Sequence, residues 1–129
     1  MKFVDLVLIV EDNPIDVFIN TRVIQQSGLS KEVMALQSAR EALEFLTQQA
    51  VNSELPNLIF LDIRMPDIDG FEFLEEFSEL PQLVLELCKI VMLSSTIDPL
   101  ELEKARNSPF VLAFIPKPLT RDKVIELFD

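Results

Sequence analysis

The sequence predicts an alternating α/β domain, a five-stranded parallel sheet with helices on both faces. Three observations carry this reading. Short apolar runs recur at residues 6–10, 33–36, 58–61, 90–93 and 111–115, each of a length that suits a buried strand. Segments with helix-entry signals and apolar residues at helical spacing separate them. The alternation fills 129 residues with no repeat, linker or low-complexity tract, the pattern of one domain with a core of its own.

The first run ends on Glu11 and Asp12. Asn13 then caps a helix that has Pro14 at its first position. Ile15, Ile19 and Val23 recur at helical spacing and are expected to form its buried stripe. Gly28 is the expected stop. After the second strand, Ser38 and Glu41 have the spacing of a capping box and open a helix whose inward face includes Ala42, Phe45 and Leu46. Residues 52–56 read as a loop.

The third strand is apolar throughout and stops on Asp62; Met65-Pro66 and Asp69-Gly70 are turn chemistry that cannot continue it. Asp67 and Asp69 are read as turn residues. A helix from 71 to about 78 turns Phe73, Leu74 and Phe77 inward. Residues 80–87 are apolar but contain Pro81, and read as a loop with a helical turn. The fourth strand ends on Ser94-Ser95-Thr96. Asp98-Pro99 opens the next helix, with Glu101 at box spacing. The fifth strand ends on Pro116-Lys117-Pro118, and a proline there suits a sheet edge. Thr120 caps a last helix that runs to the chain end. Phe3, Phe18, Phe45, Phe60, Phe73 and Phe77 are assigned to the core, and the lone Cys88 to a buried structural thiol.

Composition excludes several function classes. The chain has 11 basic and 22 acidic residues, a net charge of -11, and no basic stripe, which argues against direct nucleic-acid binding. Asp5 interrupts the first apolar stretch, so neither a signal peptide nor a membrane span is expected. One cysteine builds neither a disulfide framework nor a thiol metal site, and a cytoplasmic setting fits. With no histidine, the chain has no imidazole base or ligand and cannot itself carry phosphohistidine. Gly28 and Gly70 are the only glycines, so neither a Walker loop nor a GxGxxG turn can be built.

Four of the five strands end on chemically capable residues: Glu11 and Asp12, then Asp62, Ser94 and Lys117. In a parallel sheet these ends lie along one edge, where ligands bind. Carboxylates gathered there repel unless a cation joins them. An oxygen-only donor set favours Mg²⁺ or Mn²⁺. A carboxylate beside Mg²⁺ can attack phosphorus and form an acyl phosphate. Lys117 would offer a point charge to the phosphoryl oxygens and Ser94 a hydroxyl donor. Such chemistry runs on positioning and charge neutralisation. Each residue alone has a plainer role: helix cap, turn former, helix-entry hydroxyl, solvated lysine. Their coincidence at four strand ends favours one shared site.

The blocks Val10-Glu11-Asp12-Asn13, Leu61-Asp62-Ile63-Arg64-Met65-Pro66-Asp67-Ile68-Asp69-Gly70, Met92-Leu93-Ser94-Ser95 and Lys117-Pro118-Leu119 stand in that order. Together they resemble the receiver domain of two-component response regulators, from about residue 5 to the end. The resemblance implies a flavodoxin-like, doubly wound sheet of order 2-1-3-4-5 in a single domain over residues 1–129. It implies that Asp62 accepts a phosphoryl group from a partner's phosphohistidine. Glu11, Asp12 and Asp62 would bind Mg²⁺ (or Mn²⁺) with the backbone carbonyl of Arg64, and Ser94 and Lys117 would contact the phosphoryl group. Ser94 and Phe114 would form the switch. The implied partners are a histidine kinase or histidine phosphotransfer protein, then a downstream protein target. Such a domain assists its own phosphorylation and dephosphorylation but works mainly in signalling.

The chain departs from the family pattern at four places. Glu11 stands where Asp is commoner, Ser94 replaces a frequent Thr, Phe114 a frequent Tyr, and Pro116 precedes Lys117. Two other classes compete with the receiver reading. One is a Mg²⁺-dependent phosphatase or phosphotransferase with an aspartyl nucleophile; many of these carry Asp-x-Asp, whereas Arg64 occupies the second position here. The other is a pseudo-receiver, a binding module that is not phosphorylated. The intact Asp62, Lys117 and acidic pair count against it.

Overall fold

Buried runs of Val, Leu and Ile pair as strands because their backbone polar groups, removed from water, must bond to one another. In the computed structural model, which describes residues 4–30, 32–52 and 54–128, the strands are β1 (Val7–Val10), β2 (Val33–Leu36), β3 (Leu58–Asp62), β4 (Lys89–Ser94) and β5 (Val111–Pro116). All pair in parallel, in the order β2-β1-β3-β4-β5. This is the flavodoxin-like order. β1 and β3 lie inside the sheet and are buried at every position. β5 lies at the edge, where Pro116 removes no needed donor; Lys117 N–H closes the pairing onto the Ser94 carbonyl at 2.7 Å.

The helices are α1 (Pro14–Ser27), α2 (Ala39–Asn52), α3 (Gly70–Phe77), α4 (Gln82–Leu87), α5 (Pro99–Asn107) and α6 (Arg121–Glu126). Strand side chains alternate in direction, which splits the core in two. Leu8, Val10, Ile59, Leu61, Ile90 and Met92 pack under α2 to α5. Val7, Ile9, Leu58, Phe60, Leu93 and Ile115 pack under α1 and α6.

Local entry signals behave as read at α1, where the Asn13 side chain accepts from Ile15 and Asp16 N–H and Gly28 ends the helix at φ 79°. Thr120 caps α6 as expected. Other expectations need correction. Of the predicted stripe Ile15, Ile19, Val23, only Val23 packs against the core: Ile15 and Ile19 are exposed, while Asn20, Ile24 and Ser27 are buried. Phe18, assigned to the core, is 63% exposed beneath Arg22. The face of α1 that meets the sheet and α6 is the one carrying Ile24, and Ile15, Phe18 and Ile19 point outward. Phe60, Phe73 and Phe77 are fully buried, as is Cys88. Phe3 lies outside the described residues.

Residues 80–87 hold the short helix α4, with Pro81 at its N-cap, where a missing N–H costs nothing. α2 continues to Asn52, into the expected loop. At α2 only the Ser38 half of the expected box forms. At α5, Asp98 accepts from Leu100 N–H, but Glu101 turns away from the cap and pairs with Arg64. α6 ends at Glu126, before the end of the chain. Among the described residues, no helix is long and apolar enough to cross a membrane.

Candidate functional site

Strand alternation sorts the strand-end residues before any side chain is placed. Glu11 continues the series Val7, Ile9; Asp62 continues Leu58, Phe60; Lys117 follows Ala113 and Ile115. All three series belong to the α1 side of the sheet. Ser94 continues Ile90 and Met92, on the opposite side. The side chains obey this division. Lys117 Nζ donates to Glu11 Oε1 at 2.7 Å and to Asp62 Oδ2 at 3.1 Å. The Ser94 hydroxyl, fully buried, instead donates to the Thr96 carbonyl at 2.7 Å and accepts from Thr96 N–H at 3.2 Å.

Glu11, Asp12 and Asp62 each offer an oxygen within 4.8 Å of the others. Glu11 and Asp62 are buried and Asp12 is exposed, so the cluster opens to solvent on one side. Asp62 is steadied at both oxygens, Oδ2 by Lys117 and Oδ1 by the Arg64 N–H at 3.1 Å. Burial pushes Glu11 up to about 7; Lys117 opposes the rise, Asp62 adds to it, and the Asn13 N–H opposes it. Burial would depress Lys117, but Glu11 and Asp62 outweigh it and hold the ammonium above its usual range. At neutral pH the site therefore stands at the edge of holding a proton on Glu11.

The loop after Asp62 is pinned at its far end. Gly70 N–H donates to the Ile63 carbonyl at 2.8 Å. A Cβ on Gly70 would lie 3.0 Å from Ile63 Cα and 3.0 Å from Met92 Cε, so only glycine fits without a shift. The Arg64 side chain, 61% exposed, pairs with Glu101 at 3.2 Å and bridges this loop to α5. Phe114 is half-buried in β5 opposite Met92, on the face that Ser94 shares. Cavities of about 240 and 310 Å³ border it on two sides.

Three contacts lie beyond the roles read above, and one of them has a sequence signal. Asp16, in the first turn of α1, reaches Lys117 Nζ with Oδ2 at 3.3 Å. Asp67 is more than a turn residue: its Oδ2 accepts from the Ser38 hydroxyl and Arg40 N–H, both at 2.9 Å, and so caps α2 from another loop. Asp69 closes a capping box with Glu72 at α3. The Asp69-x-x-Glu72 spacing was a readable signal of that box; the other two contacts join distant segments and leave no local signature.

An oxygen-only cluster of this kind suits a hard divalent cation such as Mg²⁺ or Mn²⁺. The chain matches the sequence profile of the response regulator receiver domain over residues 7–129. It is 38% identical over 80 residues to response regulator Rcp1 of Synechocystis sp., a stretch covering 60% of this chain and 54% of that protein. The alignment thus spans about half of that relative's length. Its fold superposes on a two-component response regulator from Cytophaga hutchinsonii with a TM-score of 0.91 at 30% identity, covering 98% and 96% of the two chains. It superposes on the Mn²⁺-bound form of response regulator Rcp1 with a TM-score of 0.74 at 28% identity, covering 95% and 88%.

Proposed function

Because this chain belongs to the response regulator receiver family of two-component signalling, we propose that Asp62 accepts a phosphoryl group from a phosphohistidine on a partner protein. The observation that carries this is the Lys117 ammonium, held between the Asp62 and Glu11 carboxylates at the mouth of the acidic cluster. Glu11, Asp12 and Asp62, with the Arg64 backbone carbonyl, would hold Mg²⁺ or Mn²⁺. When bound, the cation supplies neutralising charge between Asp62 and the incoming phosphoryl oxygens.

The chain's own residues do the rest. An Asp62 oxygen attacks phosphorus in line, the P–N bond to the donor imidazole breaks, and its electron pair leaves on that nitrogen. An acyl phosphate remains on Asp62. The Arg64 N–H fixes the carboxylate rotamer, and the Lys117 ammonium exchanges its contact with Asp62 for a phosphoryl oxygen. These 129 residues contain no histidine, so the donor imidazole lies outside them, on the proposed histidine kinase or histidine phosphotransfer protein.

The output follows from Ser94. To meet the new oxygens its hydroxyl must leave the Thr96 carbonyl. Phe114, on the same face, would move into the space vacated. The affected surface is that of α5, β5 and α6, where Leu100 and Leu112 stand exposed for a downstream partner. The test is incorporation from acetyl phosphate with Mg²⁺, read by intact mass, for wild type and Asp62→Asn. Labelling of the wild type alone is expected; equal labelling of both refutes the assignment.

A further inference from the structure

Lys117 has one more partner than the phospho-transfer reading uses. An ammonium has three N–H donors, and three carboxylates accept them: Glu11 at 2.7 Å, Asp62 at 3.1 Å and Asp16 at 3.3 Å. Glu11 and Asp62 belong to the cluster that could hold a metal ion; Asp16 does not. A divalent cation and the ammonium therefore draw on the same Glu11 and Asp62 carboxylates, and the two positive centres repel. Of the carboxylates bonded to Lys117, Asp16 is the one that a cation leaves free.

Asp16 has an ordinary explanation, since an acid in the first turn suits the positive end of a helix. That explanation asks only for solvent around it. It does not account for an ion pair with a lysine 101 residues away. There is also room for the ammonium to move. A cavity of about 420 Å³ lies beside the pair, lined by Asp16, Ile19, Asn20, Ser95, Lys117 and Pro118.

We propose that Asp16 is a positioning residue for Lys117: it holds the ammonium on the α1 side when a divalent cation fills the carboxylate cluster. The lysine is thereby kept beside Asp62, ready for the phosphoryl oxygens, instead of being driven into solvent. This role rests on the reading of Asp62 and its cluster given above. Without a cation Glu11 and Asp62 suffice to hold Lys117, so removing Asp16 matters only once the metal is bound.

The decisive measurement follows the Lys117 ammonium itself by ¹⁵N NMR on the full chain labelled at lysine Nζ, titrated with Mg²⁺ alone. Wild type is expected to keep a slowly exchanging Lys117 ammonium signal at saturation. Asp16→Asn and Asp16→Ser should show that signal without Mg²⁺ and lose it with Mg²⁺, whereas Asp16→Glu, which keeps the charge, should retain it. The rate of phosphorylation by acetyl phosphate at saturating Mg²⁺ should fall about tenfold or more in the Asn and Ser variants and recover in the Glu variant. Identical behaviour of wild type and both neutral variants on adding Mg²⁺ overturns the role of Asp16 and leaves Asp62 untouched. If, in uniformly ¹⁵N-labelled wild type, Mg²⁺ moves no backbone amide resonance of Glu11, Asp12 or Asp62, the metal reading fails, and this role falls with it.

Discussion

Replacing Lys117 with methionine removes the ammonium that Glu11, Asp16 and Asp62 share. The Glu11 and Asp62 side chains are 1% and 6% exposed, so water cannot take over. Leaving a buried charge without its partner costs about 3–5 kcal/mol. Protonation limits the loss, because Glu11 can escape by becoming neutral. In the wild type Glu11 lies at about 7, against an ordinary 4.5. Its folded value is raised, so the stability it contributes is full below 4.5 and drains away as pH rises towards 7. Above that the wild type holds no extra proton and the drain stops. In Lys117→Met the value moves higher still, the extra proton is kept, and each further pH unit costs about 1.4 kcal/mol. The penalty of the substitution should therefore be about 3–5 kcal/mol at pH 8 and smaller by about 1.4 kcal/mol at pH 6. Mg²⁺ at a hundredfold excess over its dissociation constant should return about 2.7 kcal/mol. Urea denaturation of both proteins at the two pH values, with and without Mg²⁺, measures each term from the midpoints. A penalty that does not change between the two pH values, or is absent at both, refutes this account of the site.

Three further outcomes are expected. With Glu11 at about 7, Mg²⁺ binding should strengthen about tenfold from pH 6 to pH 8 and release a proton at the lower pH; calorimetry showing one affinity at both would contradict it. Gly70→Ala should cost about 1–3 kcal/mol, because the added Cβ meets backbone at Ile63; an unchanged urea midpoint would show that the loop yields freely. Structures with and without a phosphoryl mimic on Asp62 should show Ser94 leaving Thr96 and Phe114 changing rotamer. The inward state of Phe114 would be held by burial worth about 1.5–3 kcal/mol; a fixed Phe114 and Ser94 would place the switch elsewhere.

How far the sequence reached depends on the range of each interaction. Four of the five strands were legible because the apolar run stops on a charge, a hydroxyl or a proline; the second stops on Gln37. The strand-end residues were legible for the same reason. α1 was misread because it offers two faces, Ile15-Ile19-Val23 and Asn20-Ile24-Ser27. Hydrophobicity alone favours the first. The deciding fact is which face meets the sheet and α6, and that is a property of the packed molecule. Asp16 with Lys117, Arg64 with Glu101 and Asp67 with the start of α2 join segments far apart in the chain. No local pattern encodes such pairs.

One division within the site was available by counting and carries a consequence for signalling. Glu11, Asp62 and Lys117 have the parity of the α1 side of the sheet, and Ser94 the parity of the other. The proposed phosphoryl chemistry thus faces α1, while Ser94, proposed to sense it, has the parity of the face that carries Phe114. On that proposal, input and output would lie on opposite faces, divided by the two-residue period of the strands. The sheet is packed on both sides. The hydroxyl of Ser94, whose acceptor is the Thr96 carbonyl beyond the end of β4 and not part of the sheet ladder, can change partners without breaking a strand pair.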